Sequence, residues 1–107
     1  MQYRVELSTR AERDLQIIYD FIRADVSDVA FAWFNELVQA IYTLEKLPER
    51  GSTTPENRRL RHLLFGSKPD TYRIIYSIDR RGNGVTVLHI RHGARADFQS
   101  SDLESLH

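Results

Sequence analysis

The sequence contains no cysteine. That excludes a disulfide framework and any thiolate metal centre, and it suits a reducing compartment such as the cytosol. No apolar run approaches the roughly 20 residues that a membrane-spanning helix needs. The first residues, Met1-Gln2-Tyr3-Arg4-Val5-Glu6-Leu7, lack the apolar segment of a signal peptide. Low-complexity stretches and internal repeats are absent. Neither the Gly-x-x-x-x-Gly-Lys phosphate loop nor the Gly-x-Gly-x-x-Gly turn occurs. The four histidines, at 62, 89, 92 and 107, show no metal-ligand spacing on a helix. No serine sits in a nucleophile elbow. The expectation is a cytoplasmic protein with no cofactor, no metal and no membrane association.

What is present is an ordinary globular composition, 41% hydrophobic and 28% charged over 107 residues, enough for one domain with one core. Net charge is zero, but its distribution is uneven. Residues 1–57 hold 6 Lys/Arg against 10 Asp/Glu, and residues 58–95 hold 9 Lys/Arg against 2 Asp. The last twelve residues add three acids, Asp97, Asp102 and Glu104. A basic back half of this kind points to an anionic partner, or to a solvated basic sheet face.

Hydrophobic periodicity divides the chain. Tyr3, Val5 and Leu7 alternate with Arg4 and Glu6, which predicts a half-buried strand. Ser8 or Thr9 caps a helix, with Glu12 placed for a capping box. Ala11, Leu15, Ile18 and Ile22 mark its buried face, to about Ala24. Ile17 and Phe21 fall outside that face and widen the apolar arc. Contact with the second helix, or with a partner helix, would use them. Ser27 or Asp28 caps a second helix, whose buried face is Ala30, Phe34, Leu37, Val38, Ile41 and Leu44, and Pro48 ends it. Residues 49–59 read as a polar loop. Leu60–Phe65 is a short strand, Gly66–Asp70 a connection, and Thr71–Asp79 a strand with Tyr72, Ile74, Tyr76 and Ile78 on one face. Arg81-Gly82-Asn83-Gly84 is a hairpin turn signal, and Val85–Arg91 is the return strand. The order is β-α-α-β-β-β: an α+β two-layer domain in which the N-terminal strand completes an antiparallel meander under a helical hairpin. The polar stretch 98–107 is a C-terminal tail.

The candidate chemistry is basic. Arg61, Arg73, Arg91, His92 and Arg95 lie on strands or just beyond a strand end, and Arg58 and Arg59 precede the first of them. Adjacent strands lie about 5 Å apart, so these groups can share one patch. Guanidinium groups hold phosphate oxygens bidentately, and a histidine near neutrality moves protons. Arg61, Arg73 and His92 are thus candidates for metal-free cleavage of a phosphodiester, with Glu56 or His92 as base. Arg58, Arg59, Arg91 and Arg95 are candidates for holding the nucleic acid or another target. The structural alternatives are an Arg73 ion pair with Asp79 or a helix carboxylate, a strand-end hydrogen bond at His92, and a structural role for His89.

An ordered set of segments carries a family resemblance: Ala11-Glu12-Arg13-Asp14-Leu15, Ala32-Trp33, Ala40-Ile41, Pro48-Glu49-Arg50-Gly51, Leu60-Arg61-His62-Leu63, Tyr72-Arg73-Ile74-Ile75-Tyr76 and Arg91-His92-Gly93-Ala94-Arg95. Together they resemble the RelE/ParE superfamily of type II toxin–antitoxin toxins, also known as plasmid-stabilisation proteins, over a single domain at residues 1–97. The resemblance implies a helical hairpin on an antiparallel sheet, a growth-inhibiting bacterial or archaeal toxin, and a cognate antitoxin as partner. Ile17 and Phe21 are candidates for antitoxin contact. RelE-like members cleave mRNA in the ribosomal A site, whereas ParE-like members poison DNA gyrase. The expected partners are therefore the ribosome with mRNA, or gyrase. The long hairpin is typical of the ParE-like branch. Arg61, Arg73 and His92 match positions where nuclease members place phosphate-binding and acid groups, but no tyrosine follows His92 and the helices carry no lysine-rich stretch. The resemblance implies a ribosome-dependent endoribonuclease, a non-catalytic gyrase inhibitor, or a non-toxic antitoxin-binding module.

Overall fold

The computed structural model describes residues 2–67 and 70–93. Strand β1 (Arg4–Leu7) leads through one residue into α1 (Thr9–Phe21), and α2 (Asp28–Tyr42) runs into a 3-10 turn at Thr43–Glu45. Strands β2 (Ser52–Thr53), β3 (Arg61–Phe65), β4 (Tyr72–Asp79) and β5 (Gly84–His92) follow. Among the described residues no helix is long and apolar enough to cross a membrane.

Both helices start on serine. Ser8 Oγ accepts the Ala11 N–H at 3.0 Å, and Ser27 Oγ accepts that of Ala30 at 3.2 Å, each satisfying a first-turn donor that has no partner within its helix. Thr9 is the first helical residue rather than the cap, so the Thr9–Glu12 capping box does not form. Helix α1 stops at Phe21, earlier than periodicity predicts. Arg23 adopts φ +58°, a left-handed turn that breaks the helix before Ala24.

Among the described residues the sheet has five strands in the order β1-β5-β4-β3-β2. The pairs β5–β4, β4–β3 and β3–β2 are antiparallel, as a meander requires. β1 departs from the expected antiparallel completion: it lies parallel to β5, with Val5 opposite Val85 and Leu7 opposite Val87. The helical hairpin crosses the sheet between them. The polar stretch read as loop also holds β2, two residues that pair with Arg61 and His62. One irregularity interrupts β5. Ile75 faces His89 while Tyr76 faces Val87, so Leu88 is the extra residue of a bulge.

The helices cover one face of the sheet. Ala11, Ile18, Leu37, Ile41, Leu44, Ile74, Tyr76, Val85 and Val87 are buried there, and Leu15, Ile22 and Phe34 pack against them. Ile75 belongs to the opposite face by alternation, yet it is fully buried in a small cluster with Leu60 and Leu88. Truncating Ile41, fully buried in the main core, to alanine is expected to cost about 2–5 kcal/mol. Urea denaturation measures this, and a loss near zero would contradict the helix phase.

Candidate functional site

Alternation along β4 decides where the basic residues go. Tyr72, Ile74 and Tyr76 pack into the main core beneath the helices, so Arg73 projects from the face away from the helices. There its Nε donates to His62 Nδ1 at 3.0 Å, and its guanidinium pairs with Glu56 at 3.2 Å. Burial by itself would raise the Glu56 carboxyl, but the hydrogen bond and charge of Arg73 outweigh it and hold the group below its ordinary 4.5. Burial is the main cause that lowers His62 below 6.5, and the Arg73 charge adds to it against the opposing pull of Glu56. A ring whose Nδ1 accepts a proton donor keeps its own proton on Nε2. Arg91 stands opposite Arg73 in the β4–β5 register.

Arg61 is elsewhere. It pairs in register with Tyr76, on the helix-covered side, and lies four residues along β4 from the Tyr72–His92 pair, a separation of about 13 Å along a strand. Its guanidinium donates to the Gly51 carbonyl at 2.6 Å. His92 also falls on the helix side. Its ring meets Tyr72 edge to face at 5.1 Å, and its Nε2 is 3.2 Å from Asp70 Oδ1. Trp33 stacks edge-on against both Tyr72 and Phe65, which closes that corner. The expected single patch is therefore not assembled: Arg61 and His92 lie apart on one face, and Arg73 lies on the other. Arg58 and Arg59 are exposed in the turn before β3. Arg95 lies outside the described residues, as do the end of the 1–97 domain and the 98–107 tail. The Arg73 ion pair expected with Asp79 or a helix carboxylate is made instead with Glu56.

A second feature arises where β1 ends. Among the described residues β1 pairs with β5 only as far as Val87, and beyond it α1 lies against β5. Asp14 is buried on the inner face of α1, with Oδ2 2.6 Å from His89 Nδ1 and 3.0 Å from the Ile90 amide. Its other oxygen lies 3.6 Å from Arg10 Nε. Ser8 Oγ donates to the Leu88 carbonyl at 2.8 Å. Side chains of α1 thus replace the missing strand. Beside them runs a groove of about 280 Å³ with Ile17 and Phe21 on one wall and Tyr72, Arg91 and His92 on the other. Ile17 and Phe21 remain 57% and 70% exposed, so α2 does not cover them. Sequence reasoning misses Asp14 and His62. For Asp14 a signal existed: an acid falls between Ala11 and Ile18 on an otherwise apolar helix face.

The sequence profile for the ParE toxin of the type II toxin–antitoxin system parDE matches residues 5–97. The chain belongs to the ParE toxin family. Curated proteins give no match. Among solved structures the ParE-family chain is similar to a chain of the Mycobacterium tuberculosis RelBE2 toxin–antitoxin complex, with TM-score 0.60 and 22% identity, covering 88% of this chain and 94% of that one. It is similar to a chain of the chromosomal ParDE system of P. aeruginosa, with TM-score 0.67 and 18% identity, covering 85% and 96%. A free mutant form of the E. coli toxin RelE gives TM-score 0.66 and 13% identity over all of both chains. These likenesses establish a shared fold.

Two predictions follow from the site geometry of this ParE-family chain. Asp14→Ala leaves His89 and the Ile90 amide without their buried acceptor, and is expected to cost about 3 kcal/mol or more. Arg10→Ala, which leaves both of those bonds in place, is expected to cost less, its partly exposed ion pair with Asp14 being worth under about 1 kcal/mol. Equal losses in chemical denaturation would contradict the assignment. The second concerns pH. Because the folded-state value of His62 lies below its ordinary 6.5, the unfolded chain takes up this proton first. The associated stability is complete above 6.5 and is lost as pH falls through the folded value. Glu56 acts in the same direction below 4.5. His62→Gln is therefore expected to flatten the fall in melting temperature on acidification below about 6.5. Parallel curves for the two proteins would contradict it.

Proposed function

We propose that this chain is a growth-inhibiting toxin that acts in the bacterial cytoplasm by binding DNA gyrase, without RNA chemistry, and that a cognate antitoxin neutralises it. One observation carries the reading: the candidate catalytic groups are apart, and each is engaged within the chain. Phosphodiester cleavage needs cations around the developing phosphorane and an acid within hydrogen-bond reach of the leaving oxygen. Here Arg61 is bonded to a loop carbonyl, Arg73 to Glu56 and His62, and His92 to Asp70 and Tyr72. The match to the ParE toxin family supports the same reading, as do helices of 13 and 15 residues in the hairpin.

The antitoxin is assigned to the groove between α1 and β5. Its walls are apolar at Ile17, Phe21 and Ile90, and Arg10 and Arg91 line it. A disordered segment that folds on binding suits a surface of this shape. The M. tuberculosis relative was solved as a toxin–antitoxin complex, which supports a partner of that kind.

The purified chain is expected to stop supercoiling by gyrase and to leave mRNA intact on programmed ribosomes. His92→Ala and Arg73→Ala, provided they fold, are expected to retain toxicity. Ribosome-dependent mRNA cleavage that His92→Ala abolishes, with supercoiling unaffected, would overturn the reading in favour of an endoribonuclease.

A further inference from the structure

We propose that residues 46–51 form a preorganised recognition loop that docks on an acidic, partly apolar surface of the toxin's protein target. The inference rests on the reading that the toxin works by binding a protein. Surface loops ordinarily have a loosely held backbone, but this one is tied at most of its backbone polar groups. The Leu47 amide bonds the Thr43 carbonyl, and the Arg50 amide bonds that of Leu47, both at 3.0 Å. The Tyr76 hydroxyl donates to the Pro48 carbonyl at 2.7 Å and accepts the Gly51 amide at 2.9 Å. Arg61 donates to the Gly51 carbonyl. At Gly51 an added Cβ would lie 2.5 Å from the His62 carbonyl oxygen and 2.8 Å from the Tyr76 hydroxyl. Only glycine fits there.

The clamp exceeds what the core requires. Tyr76 is fully buried, and phenylalanine would fill the same space without a polar atom to satisfy. The hydroxyl is spent on the loop. So is Arg61, which becomes a positioning residue. What the clamp holds outward is specific. Leu47 is 58% exposed at the tip of the loop. Lys46 and Arg50 are exposed beside it, and Glu49 is neutralised by an ion pair with Arg80. Tyr3 and Arg80 line, together with the loop, a cleft of about 430 Å³. An apolar knob ringed by net positive charge matches the anatomy of a protein interface, an anchor inside a polar rim. An acidic surface supplies the complementary charge. An exposed leucine at the centre favours a protein over a phosphate backbone, which would be met by charge at the centre.

The test compares the full chain with Leu47→Ala, Arg50→Glu, Arg50→Lys and Tyr76→Phe, each checked for folding by melting temperature. Dose of toxin needed for growth arrest, inhibition of gyrase supercoiling, and duplex DNA binding by gel shift are measured. Arg50→Glu is expected to raise the arresting dose by about tenfold or more, as at an interface hot spot, and Arg50→Lys to restore it. Leu47→Ala and Tyr76→Phe are expected to raise it severalfold, the latter with its core intact. Full potency of folded Arg50→Glu and Leu47→Ala overturns the proposal. Loss of DNA binding in parallel with loss of arrest also overturns it and assigns the loop to nucleic acid. Loss of arrest in the loop variants, when the unmodified toxin leaves gyrase untouched, supports the loop and removes the gyrase reading alone.

Discussion

Strict alternation along β4 is the constraint from which the rest of the molecule follows. With Tyr72, Ile74 and Tyr76 committed to the helix-covered core, Arg73 has no choice of face. The registers of β3 and β5 then assign their own residues. Arg61 falls opposite Tyr76 and His92 opposite Tyr72, while Arg91 falls opposite Arg73. A one-residue shift of β4 would exchange all of its side chains between the faces and bury Arg73 in the core. The dispersal of the cations is thus a consequence of sheet geometry, and the proposed binding function rests on that dispersal.

The two ends of the same sheet serve different surfaces. At the end where β5 finishes, β1 has already stopped pairing and the polar side chains of α1 take its place through Asp14 and Ser8. The groove with Ile17 and Phe21 opens beside this substitution. Toward the other end, Tyr76 reaches out of the core to fix the loop that follows α2. In both places a buried polar group is spent on holding an exposed segment in a set geometry. That arrangement costs desolvation unless each hydrogen bond is made, and here each is made: His89 and the Ile90 amide pair with Asp14, and Pro48 and Gly51 with Tyr76.

Much of the fold was legible in the sequence. The helical periods of Ala11–Ile22 and Ala30–Leu44, the alternation of Tyr72–Asp79 and the Asn83-Gly84 turn signal are local and strong, and each marks an element that forms. What was not legible depends on contacts between distant segments. The parallel placement of β1 is set by the helical crossover, not by residues 3–7. β2 exists only because β3 offers it an edge. Arg23 ends α1 through a backbone conformation that its side chain does not announce. The basic residues are visible as types in the sequence, but their grouping depends on the register. Arg61 and Arg73 are close in the pattern and lie on opposite faces in the sheet. Asp14 showed itself as an acid on an apolar stripe, and its meaning appeared only with His89, 75 residues away.

The claim at the centre of this account is that Arg73 acts with His62 and apart from His92. A pair of double-mutant cycles on folding stability measures it directly, using alanine at Arg73 with alanine at His62 in one cycle and at His92 in the other. The account predicts a coupling of at least about 0.5 kcal/mol for Arg73–His62 and a value within about 0.3–0.5 kcal/mol of zero for Arg73–His92. Strong coupling between Arg73 and His92, with none to His62, would place both on one surface and contradict it.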